Sequence, residues 1–130
     1  LFDVYLELAV DHQLPIRLSG ESSQRAIGFP FRRLAAEEGV LFPDHFVFVT
    51  NAVGSRRAIE RAVFDLRPGV TEMYVHPAVD TPELRAIADD WAGRVDDLDL
   101  VLSPELRTII ERAGATLIGY RELRDAQRAA

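Results

Sequence analysis

Two apolar periods alternate along this chain, and that alternation limits the architecture more than any motif does. Helical spacing and strand-like runs succeed one another in the order αβαβαβααβα. LFDVYLELAVDHQLP sets Phe2, Tyr5, Leu6, Leu8 and Ala9 mostly on one helical face, and Leu14-Pro15 ends it. PIRLSG predicts a short strand over 16–18, closed by Ser19-Gly20. Residues 21–28 are polar and read as a loop. FPFRRLAAEEGV predicts a helix, with Pro30 in its first turn and Gly39 as its stop. HFVFVT is rich in aromatic and β-branched residues and predicts a buried strand.

The second half repeats the pattern. Residues 51–66 predict a helix start and an amphipathic helix with Ile59, Val63 and Leu66 inward. Arg67-Pro68-Gly69 is a turn, and VTEMYVH is a strand. Thr81-Pro82 carries the signature of a capped helix start, running towards Trp91. Residues 96–102 fit no single period. Ser103-Pro104-Glu105 repeats the cap signature, and Gly114 closes that helix. ATLIGY predicts a last strand, followed by a helix over 121–130.

Helix and strand in this order imply βαβ crossovers around a parallel sheet. The fold class expected is therefore α/β, with parallel strands alternating with helices. Four strands suit either a small doubly wound sheet or about half of a (β/α) barrel.

Composition removes several functions. At 48% hydrophobic and 28% charged residues, the chain has the makings of a core rather than of disorder. Its 130 residues suit one domain, residues 1–130. The net charge is −6 and the arginines interleave with acids, which argues against nucleic acid as a partner. There is no cysteine, so disulfides and thiolate metal sites are excluded. No apolar run approaches the roughly 20 residues of a membrane helix, and no membrane partner is expected. No signal peptide is visible, and a cytoplasmic location is expected. The sequence opens at Leu1, already inside a helical pattern, so further chain is expected upstream.

In parallel folds the carboxyl ends of strands form the rim where ligands bind. The predicted strands end near Arg17, at Thr50-Asn51, at His76-Pro77 and at Gly119-Tyr120. His76 is the most informative. It emerges from an apolar strand, histidine is the side chain suited to acid–base work near neutral pH, and Pro77 stops the ladder behind it. A histidine there can also do no more than satisfy a backbone carbonyl. Arg94 lies between Trp91 and Asp96, Asp97 and Asp99, where a surface salt-bridge network is the plainer reading. Arg17 sits in an apolar strand and needs a partner or a rim position. Residues 29–33, Phe-Pro-Phe-Arg-Arg, suit an aromatic and cationic lip or a packed helix entry. His12 and His45 suit structural or solvent roles. The three histidines lack metal-ligand spacing, and GxGxxG, GxxxxGK[ST] and GxSxG are absent.

GVTEMYVHPAVDTPEL, followed by WAGRVDDLDLVLSPELRTIIERAGATLIGYREL, resembles the C-terminal part of the YdjC-like family, carbohydrate deacetylases that include chitooligosaccharide deacetylase. The residues that carry the resemblance are Gly69, Thr71, Glu72, His76, Pro77, Ala78, Arg94, Leu98, Ser103 and the stretch 114–120. Asp97 stands where the family usually has Glu. The opening LFDVYLELAVDHQLPIRL is similar to the helix and strand after the family's second metal-histidine motif.

The resemblance implies the C-terminal half of a distorted (β/α) TIM-like barrel. It implies a metal-dependent carbohydrate N-deacetylase that hydrolyses the acetamide of N-acetylated sugars such as chitooligosaccharides, inactive as this fragment alone. A divalent metal, magnesium or zinc, would activate water or polarise the amide. Its ligands in the family are an Asp and two histidines that precede the region matching Leu1, so no metal ligand is assigned here. His76 maps to a catalytic position, as general acid to the leaving amine or as an orienter. Arg94 is expected to orient His76 or to bind substrate, Arg17 is expected to add to substrate binding at the same rim, and a homodimer is one expected assembly. The alternative is a non-catalytic small α/β domain that binds a sugar or an anion.

Overall fold

The computed structural model describes residues 1–48 and 55–130. In chain order the described elements are α1 (Phe2–Asp11), α2 (Glu21–Ile27), α3 (Phe31–Glu37), β1 (His45–Phe48), α4 (Ser55–Phe64), β2 (Thr71–Tyr74), α5 (Pro82–Ile87), α6 (Trp91–Leu102), α7 (Pro104–Arg112) and α8 (Tyr120–Ala129). The two strands are neighbours in one parallel sheet, and α4 is the crossover between them. The class is α/β, as the alternation implied.

The residues form two compact units, each with its own core. The first comprises Leu1–Phe46, Gly69–Glu72 and Ile118–Ala130. Its α1 buries a narrower stripe than the sequence suggests. Phe2, Leu6 and Ala9 face the core, while Tyr5 and Leu8 stay exposed. They pack with Ile16, Leu18, Phe31, Ala35, Val40 and Phe42. Arg32 ties the connecting segments together. Its guanidinium donates to the carbonyls of Ser19, Pro43 and Asp44 at 3.0–3.1 Å and lies over the Phe42 ring. With Phe31 buried, residues 29–33 form a packed helix entry rather than a binding lip.

Gly69 starts β2 under a geometric requirement. Its φ is +112°, and a Cβ there would lie 2.6 Å from Asp44 Oδ2. That same oxygen accepts the Val70 N–H at 2.7 Å. Only a residue without a side chain lets the carboxylate approach so closely.

The second unit comprises Val47–Pro68 and Met73–Leu117. Its centre is Ile59, Val63 and Leu100, packed by Val47, Met73 and Val75 from the strand segments and by Leu106, Ile109 and Ile110 from α7. Thr81 caps α5, its Oγ1 accepting from the Leu84 N–H at 3.1 Å, with Pro82 in the first turn. Ser103 precedes α7, but its hydroxyl donates backwards to the Leu100 carbonyl.

Several expectations are corrected. Residues 16–18 show the expected alternation, Ile16 and Leu18 buried and Arg17 outward, yet form no ladder among the described residues. Ile16 N–H bonds only the Leu41 carbonyl there. Residues 115–118 are not a strand either. Leu117 is 67% exposed, and a strand is defined by a partner that this run lacks among the described residues. Residues 21–27 are a helix, because Glu, Gln, Arg and Ala are good helix formers whatever their polarity. α5 stops at Ile87, so Trp91 opens a new helix. The residues 96–102 that fitted no period belong to α6. Thr50-Asn51 lies outside the described residues.

Candidate functional site

His76 follows β2 directly, and its surroundings explain why an apolar strand stops at His-Pro. The His76 N–H donates to Asp97 Oδ2 at 2.8 Å. Pro77 has no N–H to place. The Ala78 N–H then donates to the Arg94 carbonyl at 3.0 Å. The chain therefore leaves the sheet gripped at two points by α6, with the residue that cannot donate between them.

The ring is boxed by aromatic edges. The Tyr74 centroid lies 4.5 Å from that of His76 at 71°, and Phe48 lies 5.5 Å away at 80°. Phe48 and Tyr74 stack on each other at 5.7 Å. Such edge-to-face contacts hold a ring's orientation without using its nitrogens.

Asp97 is fully buried. Helical spacing separates it from its neighbours. Asp97 and Leu100 face inward, and Asp96 and Asp99 face solvent. Its second oxygen, Oδ1, and His76 Nδ1 are both closed off from solvent with no hydrogen-bond partner among the described residues. Sequence reasoning placed Asp97 in a surface network, and Tyr74 and Phe48 drew no attention. The helical period of α6 was the signal that could have singled out Asp97.

Arg94 sits on α6 one turn before Asp97. Its guanidinium pairs with Asp90 at 2.7 Å rather than with Asp96 or Asp99. The hydrogen bond to Asp90 raises its already high pKa, so it stays a cation. His76 and Arg94 thus belong to one neighbourhood within the second unit, joined through the Ala78 bond.

Arg17 belongs to the first unit. Its Nε donates to Glu72 Oε1 at 2.6 Å, and it lies 5.9 Å from the Phe46 ring centre. The other Glu72 oxygen accepts from the Tyr120 hydroxyl at 2.6 Å. Glu72 is thus the partner that a charged residue between Ile16 and Leu18 required. Burial pushes the Tyr120 phenol well above its ordinary value near 10, and its bond to Glu72 adds to the rise.

His12 closes α1, and its carbonyl accepts from Arg128. His45 opens β1, donating its N–H to the Val70 carbonyl. Among the described residues no three His, Cys, Asp or Glu side chains converge as a metal site. The resemblance places the ligands of its divalent ion before Leu1, so the described residues would not hold that ion by themselves.

The chain is similar to a solved structure, that of a candidate cellobiose-phosphate cleavage protein from Enterococcus faecalis V583. The two share 25% identity at a TM-score of 0.69, over 93% of this chain and 46% of that one. The chain therefore spans less than half the length of that protein. No curated relative matches it. The YdjC-like protein family matches residues 1–112, the stretch that holds Arg17, His76, Arg94 and Asp97, and by that match the chain belongs to the YdjC-like family.

Proposed function

We propose that this chain is the C-terminal half of a barrel-type carbohydrate N-deacetylase, and that His76 is its proton-handling residue. The observation that carries the reading is the His76 environment. An imidazole at a strand exit has its main chain fixed by a fully buried carboxylate and its ring held by two aromatic edges. That is the preorganisation a general acid needs. Family membership and the sugar-phosphate role in the neighbour's name favour a carbohydrate substrate.

The reaction is hydrolysis of a sugar acetamide. Water adds to the carbonyl carbon, the C–N bond breaks, acetate leaves and the amine nitrogen takes a proton. His76 supplies that proton. Arg94, oriented by Asp90, binds substrate oxygens as a guanidinium donor, while Arg17 in the first unit is held by Glu72. No step is assigned to a metal ion, because the described residues offer no set of ligands for one.

The test is acetate release from N-acetylglucosamine oligomers by the full-length protein, with and without added magnesium or zinc. His76→Ala should lower turnover by about 10²–10⁴-fold, the usual contribution of a general acid. Unchanged turnover in that variant removes the assignment. Saturable oligosaccharide binding with no acetate released by the unaltered protein would favour the non-catalytic binding domain.

A further inference from the structure

The mechanism above uses one nitrogen of His76 and leaves the other unexplained. His76 Nδ1 and Asp97 Oδ1 are both sealed from solvent and both unpartnered among the described residues, on two residues already joined through the His76 N–H and Asp97 Oδ2. Each orphan costs about 1–3 kcal/mol if left alone. A carboxylate only accepts hydrogen bonds, so the two atoms satisfy each other only when Nδ1 carries the proton. A bare Nδ1 would leave both atoms as acceptors, neither able to satisfy the other.

We propose that Asp97 is a positioning residue that holds the proton of neutral His76 on Nδ1, leaving Nε2 as the nitrogen that takes up and releases protons. The structure shows the two orphaned atoms that this hydrogen bond would satisfy, not the bond itself. One carboxylate then performs two tasks. Oδ2 fixes the main chain at the strand exit, and Oδ1 fixes the tautomer of the ring. Arg94 is the other charge on this face of α6, and Asp90 already neutralises it, so Asp97 remains the carboxylate directed at His76. This inference rests on His76 being the proton-handling residue, but its first test needs no substrate.

The test is long-range ¹H–¹⁵N correlation on the full-length protein labelled with ¹⁵N-histidine, the His76 signals being identified by their loss in His76→Gln. The expected result is a neutral imidazole protonated at Nδ1, with Nε2 at the downfield shift of a bare nitrogen. An Nε2–H tautomer in the unaltered protein overturns the proposal. Asp97→Asn supplies the second reading. Its carbonyl oxygen can still accept the His76 N–H, but its amide N–H then meets Nδ1, so the tautomer should reverse to Nε2–H. A tautomer unchanged in a variant that keeps its Trp91 fluorescence also overturns the proposal. Should Asp97→Asn not fold, the tautomer of the unaltered protein decides alone. With substrate, Asp97→Asn should lower kcat about 100-fold or more at little-changed KM, as expected for loss of a competent proton donor. A correct tautomer without acetate release would refute the deacetylase reading and leave the role of Asp97 standing.

Discussion

Replacing Glu72 by Gln tests whether one carboxylate organises the first unit. The side chain keeps its shape and loses its charge. Two groups depend on that charge: Arg17, through a bond of 2.6 Å, and Tyr120, through another of 2.6 Å. They are not equal. The Arg17 side chain is half exposed, so its ion pair is screened and contributes at most about 1 kcal/mol. Glu72 is 11% exposed, and Tyr120, at the start of α8, is 37% exposed. A charge-assisted O–H bond is typically worth about 1.5–3 kcal/mol, and the exposure of the phenol reduces that to about 1–2 kcal/mol. Glutamine still offers Oε1 to Arg17, and the Tyr120 hydroxyl can turn to accept from the new amide. The expected net loss is therefore about 1–2 kcal/mol, most of it from the tyrosine.

Urea denaturation followed by far-ultraviolet circular dichroism measures that loss. The phenol gives a second, independent signal. The Tyr120 pKa is raised in the folded state, by burial first and by Glu72 second. The raised value means the folded protein holds the phenolic proton more tightly than the unfolded chain does. That stabilisation is fully present below about pH 10 and fades as pH rises from there towards the folded-state value. In Glu72→Gln the part due to Glu72 disappears, so tyrosinate absorbance should rise at lower pH and alkaline destabilisation should be shallower. A stability change under about 0.5 kcal/mol together with an unaltered phenol titration would refute the clamp, since loss of a real partner must move at least one of them.

Two further outcomes bear on the scaffold. Gly69→Ala puts a methyl group 2.6 Å from Asp44 Oδ2 at a φ of +112°, and it should cost about 1–3 kcal/mol in urea denaturation, a loss that Asp44→Ala should partly relieve by removing the clash. Ile59→Ala opens a cavity where the side chain is 1% exposed, and it should lower the stability of the second unit by about 2–5 kcal/mol, read by the fluorescence of Trp91, the single tryptophan.

Much of the local structure was legible. Thr81-Pro82 named its own helix start because a cap is a contact between residues three apart. Gly39 and Gly114 marked helix ends, and both adopt positive φ. The alternation of Ile16, Arg17 and Leu18 gave the correct faces. The same pattern overcalled strands at 16–18 and 115–120, because apolar alternation reports burial or extension and says nothing of a neighbour. α2 was missed for the opposite reason, its polar surface hiding good helix formers.

His76 stood out in the sequence because proline after histidine at a strand end is a local signal. Asp97 did not, since 21 residues separate it from the main-chain N–H it accepts. Nor did the pairing of Arg17 with Glu72, 55 residues apart, or the tie from Glu72 to Tyr120, 48 residues further on.

The sequence by itself determined the α/β class, most of the helices, the turns and caps, and the histidine at the strand exit, because each depends on backbone preferences and on residues a few positions apart. Only the tertiary structure decided which apolar runs found a strand to pair with and which carboxylate each cation, phenol or imidazole would meet. Those choices turn on burial and on contacts across the chain. A carboxylate in water has many equivalent partners, and a buried one such as Asp97 is committed to whatever the fold brings against it.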